Sequence, residues 1–314
     1  MHSSEPQTAT TPLFFSVVIP TYNRSDRLHR CLVALSEQTY PRSQFEVIVV
    51  DDGSQTSMQP VVAEVSQVLN IHLIRQTNAG PAAARNAGAA LAQGRYLAFT
   101  DDDCAPLPDW LEQFAQQFVQ TPDGLLGGYT LNGLETNPFS AASQLLIDYL
   151  YSYYNDGQAS FFASNNLALP RQVFLSLGGF DRTFPLAAGE DRELCDRIAQ
   201  QGYPMQAVPA AQIRHYHALS LAKFWQQHFN YGRGAYHFHQ VRADRMSAPI
   251  KVEPLTFYIN LIAHPHRQSL PQSAWLLALL MFLSQVANVV GFFWGRAAAG
   301  KLQAGQRYSS PAES

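Results

Sequence analysis

Cysteine is scarce, with only Cys31, Cys104 and Cys195 in 314 residues. Three scattered thiols exclude a disulfide framework and fit a reducing compartment. No Cys/His spacing of the zinc-binding kind is present, although His-x-His pairs stand at 215/217, 237/239 and 264/266. Negative charge is nearly missing from the rear of the chain. Residues 219–314 carry 9 Lys/Arg and 3 Asp/Glu, a net of +6, whereas residues 1–218 carry 12 and 21, a net of -9. An acidic front and a basic back suggest two tasks, the rear one near an anionic surface. No nucleic-acid partner is expected. The N-terminus has no apolar signal core after a basic start. Residues 1–12 are polar, rich in Ser, Thr, Gln and Pro, and read as a disordered tail. At 46% hydrophobic, the chain can bury the core of one large domain or of one domain plus an appendage.

What is present is organised around Tyr96-Leu97-Ala98-Phe99-Thr100-Asp101-Asp102-Asp103. A buried strand runs into three carboxylates. If the backbone stays extended, Asp101 and Asp103 share one face and can hold one hard divalent cation. The alternative is an acidic turn before a helix that starts near Asp109, its N-cap, with Leu111, Phe114 and Phe118 on its apolar face.

Upstream, Phe15–Pro20 reads as a strand, followed by the turn Thr21-Tyr22-Asn23-Arg24 and a helix capped by Ser25. Phe45–Val50 is a second strand with Asp51-Asp52-Gly53-Ser54 at its end, then a helix over about 61–69 and a strand over 71–74. Strands alternating with helices predict a mostly parallel, Rossmann-like α/β sheet with helices on both faces. The polar strand ends then converge on one edge, which is where such sheets bind ligands. The first turn, Pro20-Thr21-Tyr22-Asn23, contains no glycine, which excludes a dinucleotide-binding Rossmann unit. Asn78-Ala79-Gly80-Pro81 opens an alanine-rich helix from whose first turns Arg85 reaches either a phosphate or a core carboxylate.

These stretches resemble the nucleotide-binding half of family 2 glycosyltransferases, which have the GT-A (nucleotide-diphospho-sugar transferase) fold. The resemblance is carried by residues 16–24, 46–54, 78–86 and 99–103, in order and each at an expected strand end, and extends over roughly residues 14–235. It implies an inverting, metal-dependent transfer of a sugar from a nucleotide-diphosphate sugar, with a UDP-sugar favoured, to a saccharide or lipid-linked hydroxyl acceptor. It places Tyr22 against the base and Asp52 in a hydrogen bond to it, within a nucleotide edge that includes Pro20, Thr21, Asn23, Asp51, Arg85, Asp101 and Asp102. Asp101 and Asp103 would bracket ribose and metal, and the all-oxygen set suits Mn²⁺ or Mg²⁺. A Gly178-Gly179-Phe180-Asp181 turn precedes Glu190-Asp191 and a helix, and the second acid, Asp191, would be the catalytic base. A histidine contacts the metal in some relatives, and His215 fits that position better than His217. Residues 224–234 resemble the family's helix and glycine turn below the acceptor. The Gln-x-x-Arg-Trp signature of processive synthases is missing, which favours transfer of one sugar. The alternative is a catalytically silent nucleotide- or sugar-binding module on the same fold.

In the acceptor half, strands are expected over 124–129, 161–169 and 213–217, and helices over 140–154 and 171–177. No charge appears between Arg267 and Arg296, a run of 28 residues, within which Ala274–Trp294 is long enough to span a bilayer. The other reading is a helix docked on the domain or lying in the interface. The expected organisation is a tail over 1–12, a GT-A domain over 13–240 divided at 104/105, a membrane-associated helical segment over 241–300 and a tail over 301–314. Residues 274–294 would hold the protein at the cytoplasmic face of a membrane.

Overall fold

The computed structural model describes residues 14–155, 159–184, 188–246 and 253–309, so the expected 1–12 tail lies outside the described residues. The near-continuous apolar runs form β1 (Phe15–Thr21) and β2 (Phe45–Asp51), joined through α1 (Ser25–Ser36). α2 (Gln59–Val65) leads to β3 (Ile71–Arg75), and α3 (Pro81–Leu91) leads to β4 (Tyr96–Thr100). These four strands lie in the order β3-β2-β1-β4, all parallel, with Thr21 level with Asp51.

The chain continues through β5 (Cys104–Pro106), α4 (Trp110–Gln120), β6 (Leu125–Asn132) and α5 (Pro138–Tyr154). Next come β7 (Asn166–Pro170), α6 (Arg171–Ser176), α7 (Glu190–Gln200) and β8 (Met205–His215). The eight-stranded sheet continues as β4-β7-β6-β8-β5. Here only β6/β8 is parallel, while β4/β7, β6/β7 and β5/β8 are antiparallel. The expected parallel sheet therefore describes the first half of the chain, and the second half is mixed.

Alternation along the strands divides the core in two. Phe15, Val17, Ile19, Val47 and Val49 face α1 and α4, where Leu28, Leu32, Trp110, Phe114 and Phe118 are buried. Val18, Ile48, Val50, Leu97 and Phe99 face α3 and α7, where alanines allow close approach and Leu194 and Ile198 fill the space. The three cysteines are free and buried.

Several local expectations are corrected. Arg24, not Ser25, holds the capping position of α1, with no side-chain cap hydrogen bond, and its guanidinium lies 3.2 Å from Asp102. Asp109 holds the capping position of α4, but its carboxylate accepts from Gln113 instead, and Gln38 Oε1 accepts from the Leu111 N–H at 3.2 Å. The strand expected from Phe161 begins only at Asn166. Ahead of it the chain bends, with the Asn166 N–H donating to the Ala163 carbonyl and the Tyr151 hydroxyl accepting from the Ala163 N–H at 2.8 Å.

The C-terminal region consists of α8 (Leu221–Met246), α9 (Leu255–Ala263) and α10 (Ala274–Ser309). No turn interrupts α8 at Gly232 or Gly234, so the expected glycine turn is replaced by a continuous helix, which also runs through residue 240. The glycines serve close packing: a methyl on Gly232 would overlap the Asn288 carbonyl of α10, and one on Gly291 would overlap the Phe229 carbonyl of α8. α10 continues past residue 300 to Ser309. Over Ala274–Gly300 it is long and apolar enough to cross a membrane. It nevertheless lies along α8, α5 and α9, and Leu277, Leu280 and Met281 are buried against Leu145, Phe224, Phe257 and Leu261.

Candidate active site

The strand ends converge as their alternation with helices requires. Asn23 adopts a left-handed conformation, φ 55°, and ties the first turn to the second. Its N–H donates to Ser54 Oγ at 2.8 Å, and its side-chain oxygen accepts from the Gln55 N–H at 2.7 Å. Pro20 and Thr21 are buried within β1, while the Tyr22 ring is 45% exposed. Asp51 accepts from the Ser54 N–H at 2.8 Å. Asp52 is buried and accepts from Gln76 Nε2 at 2.7 Å and from the Ala79 and Gly80 N–H groups at 3.0 and 2.9 Å.

The three aspartates do not alternate as an extended strand. β4 ends at Thr100, and the Cys104 N–H donates to the Asp101 carbonyl at 3.0 Å, closing a turn. Each carboxylate therefore faces a different partner. Asp101 is held by Arg85 Nη2 at 2.7 Å. Asp102 accepts from Thr21 Oγ1 at 2.8 Å and from Arg24 at 3.2 Å. Asp103 pairs with Arg27 at 2.8 Å and with His215 Nε2 at 3.2 Å.

Electrostatics separate these neighbours. Burial pushes the Asp102 carboxyl up to about 6 against the pull of Arg24. Burial also works to raise Asp103, but the charges of His215, Arg24 and Arg27 hold it well below the usual carboxylate range. Burial works to lower His215, and the Asp103 charge overrides it and raises the imidazole. The sequence alone assigns no role to Arg24 or Arg27. Their spacing, one turn apart at the start of α1 opposite three acids, was the available signal.

His215 ends β8 and is placed level with Cys104 by the antiparallel β5/β8 contact, which brings its ring to Asp103. His217 stacks on it at 4.0 Å and does not face the acid as His215 does. Asp103, His215 and Cys104 offer ligand atoms within 4.8 Å of one another. Burial keeps the Cys104 thiol protonated, its pKa well above the ordinary value, so it is a poor ligand for a hard ion. Asp103 and His215 fit one better. Two donors at right angles and about 2.1–2.3 Å from a cation stand roughly 3.0–3.3 Å apart. The observed 3.2 Å falls within that span.

Arg85 is buried and its guanidinium bridges Asp101 and Glu190, at 2.7 and 3.1 Å. Of the two partners open to it from the sequence, the carboxylates hold it. Glu190 and Asp191 stand in the first turn of α7, behind Gly189 at φ 98°. The turn at Gly179-Phe180 is held by Asn86, whose side chain exchanges two 2.8 Å hydrogen bonds with the Phe180 backbone. A side chain on Gly179, at φ 73°, would strike the same amide. Asp191 accepts from its neighbour Arg192 N–H at 2.7 Å and from the Ser164 N–H at 3.4 Å. Burial raises both carboxyls of the pair, and the Asp191 charge adds to the rise at Glu190.

A cavity of about 540 Å³ gathers Arg85, Asp101, Glu190, Asp191 and His215 on one wall. Asp103 is not among the lining residues but pairs with His215, which is. Tyr22, Asn23, Asp51 and Asp52 form an adjoining cluster at the β1/β2 end, linked to the acids through Thr21 and Arg24. Ser164 and Asn165, on the bend that replaces the expected strand, also line the cavity.

Residues 16–178 match the family described as Glycosyl transferase family 2. Among curated proteins, the chain is 42% identical over 123 residues to Glycosyltransferase AglE of Haloferax volcanii, covering 38% of this chain and 40% of that one. It is 32% identical over 228 residues to validoxylamine A glucosyltransferase of Streptomyces hygroscopicus subsp. jinggangensis, covering 63% and 54%. The chain thus spans about half or less of the length of these curated relatives. Among solved structures it resembles mannosyltransferase PcManGT from Pyrobaculum calidifontis in complex with GDP-Man and Mn²⁺, with a TM-score of 0.60 at 22% identity, covering 93% and 81%. It also resembles S. aureus TarS 1-349 in complex with UDP-GlcNAc, with a TM-score of 0.52 at 18% identity, covering 89% of each chain. The shared architecture is the GT-A fold.

Proposed function

Because the chain belongs to glycosyl transferase family 2, we propose that it transfers a single sugar from a nucleoside-diphosphate sugar to a hydroxyl acceptor, with inversion and with dependence on Mn²⁺ or Mg²⁺. The observation that carries this reading is the convergence of Asp101, His215 and the Glu190–Asp191 pair on one cavity at the carboxyl end of β4. Named relatives and neighbours that transfer sugars or hold nucleotide sugars support it.

In this reading Tyr22 offers its exposed ring face to the base, and Asp52 reads a base N–H with the lone pairs that its three donors leave free. A UDP-sugar is the first donor to test. Asp103 and His215, with Asp101 beside them, hold the cation. When bound, the cation stabilises the negative charge of the departing nucleoside diphosphate. Arg85 acts by positioning: its guanidinium fixes Asp101 on the donor side and Glu190 on the acceptor side.

Asp191 is the base. The acceptor hydroxyl gives its proton to the Asp191 carboxylate as its oxygen bonds to the anomeric carbon. The bond from that carbon to the diphosphate oxygen breaks, and the electron pair leaves with the nucleotide. A carboxyl raised by burial is a stronger base than an exposed one. The acceptor is a saccharide or a lipid-linked molecule, in polysaccharide or glycolipid assembly. α9 and α10 rest on the cytoplasmic face of a membrane, and the catalytic unit comprises the GT-A part of the chain through α8.

A thermal-shift screen of UDP- and GDP-sugars tests the reading. A shift that needs Mn²⁺ and disappears with EDTA is expected. Equal shifts with EDTA, or none with any nucleotide sugar, would contradict it.

A further inference from the structure

The cavity that holds Asp191 also has an apolar lining, here called the arm: Ile147 and Leu150 of α5, Phe257 of α9, and Val289, Phe292 and Phe293 of α10. Val289 and Phe293 are 52% and 57% exposed, so the arm opens at the outer surface of α10.

That surface is inverted relative to a water-soluble domain. Trp275, Leu279, Phe282, Val290 and Trp294 are exposed along α10, and Leu255 and Ile259 are exposed on the adjoining α9. The polar residues within the uncharged part of α10 point the other way. Ser284 is buried, and Gln285 and Asn288 line the cavity. A helix docked on a soluble protein normally turns its apolar side inward and its polar side to water. Here the outer surface is suited to an apolar phase. No charge interrupts the sequence between Arg267 and Arg296, and residues 219–314 carry a net of +6. Apolar contact flanked by positive charge complements the surface of an anionic bilayer.

We propose that the acceptor is an amphiphile taken from that bilayer: its apolar chain occupies the arm between α5, α9 and α10, and its hydroxyl-bearing head reaches Asp191. This narrows the acceptor to a lipid-linked one and rests on the sugar-transfer reading of the site. Transfer keeps the balance given above, with the proton passing from the head-group hydroxyl to Asp191 and the nucleoside diphosphate leaving. The arm contributes binding and alignment only.

The experiment uses the full chain with UDP and Mn²⁺, titrated calorimetrically with hexyl, octyl, decyl and dodecyl β-glucosides below their micellar concentrations. Affinity is expected to rise roughly fourfold per added methylene until the arm is filled. Ile147→Asn and Leu150→Asn, tested separately, should flatten that dependence. Phe282→Ser, on the outer surface, should preserve it. Affinity independent of chain length overturns the proposal, as does a dependence unchanged in both arm variants. Binding of UDP with Mn²⁺ in the same samples reports folding and the donor site. Intact nucleotide binding without chain-length dependence refutes the lipid acceptor alone, whereas chain-length dependence with no binding of either UDP or GDP refutes the sugar-transfer reading.

Discussion

His215 Nε2 lies 3.2 Å from Asp103 Oδ1, although the two residues are more than a hundred positions apart in the chain. The β5/β8 contact brings them together, and the pair joins an oxygen and a nitrogen donor at a spacing one cation can bridge. UDP is expected to bind much more tightly with Mn²⁺ than with EDTA. Asp103→Ala should abolish that difference, and His215→Ala should reduce it. Calorimetry decides: metal-independent binding together with full turnover in Asp103→Ala would remove the assignment.

Arg85 is the only described cation that touches both Asp101 and Glu190. Its removal leaves buried Glu190 and part-exposed Asp101 without their partner, and breaking a buried pair such as Arg85–Glu190 typically costs about 3–5 kcal/mol. Arg85→Ala should lower the urea midpoint accordingly and also weaken donor binding. Arg85→Lys should recover part of the stability, because one ammonium cannot reach both acids as a planar fork does. A phosphate-binding role alone would leave stability unchanged while donor affinity fell.

His228 is 1% exposed, and neither ring nitrogen has a hydrogen-bond partner. It packs between Phe224 and Tyr231, and burial lowers its pKa to about 4. The unfolded chain takes up this proton below about 6.5, and the folded chain does so only near 4. Between those values the unfolded state binds more protons, so stability falls as pH falls. The full effect is about 3 kcal/mol, and it vanishes above the unfolded value. His228→Leu should show a flatter decline in stability over that window. Parallel pH profiles for the wild-type protein and the variant would contradict this account.

Much of this arrangement was legible in the sequence, for physical reasons that also explain the failures. Unbroken apolar runs such as Phe45–Val50 report a strand buried on both faces, and alternation with helices makes it parallel. Convergence of Thr21, Asp51 and Asp101 followed. The direction of each aspartate did not, because a turn replaced the extended backbone after Thr100 and the 2-residue period stopped there. Arg85 had two partners open to it from sequence, and only the arrival of Glu190 from α7 selected the carboxylates. Gly232 and Gly234 signalled a turn, yet they sit mid-helix because a neighbouring backbone needs the space. The same composition serves both uses.

The C-terminal helices make a further prediction. Cutting the chain near residue 250 would uncover Leu145, Leu146 and Phe224, which α9 and α10 bury. Such a chain should therefore be less stable than the full protein. The full chain should sediment with mixed phosphatidylcholine/phosphatidylglycerol vesicles, and Leu279→Ser combined with Phe282→Ser should weaken that. A full chain that ignores the vesicles, or a double variant bound as tightly as wild type, would contradict the membrane-facing role of α10.

Asp191 carries the central claim. Asp191→Asn keeps the size and hydrogen-bonding capacity of the side chain but cannot take a proton. The decisive measurement is kcat for sugar transfer to the acceptor, made beside donor affinity, for Asp191→Asn and Glu190→Gln. Asp191→Asn is expected to bind UDP and Mn²⁺ nearly as wild type while kcat falls by a factor of about 10² or more, with Glu190→Gln milder. Wild-type turnover in Asp191→Asn, with Glu190→Gln inactive, would contradict it.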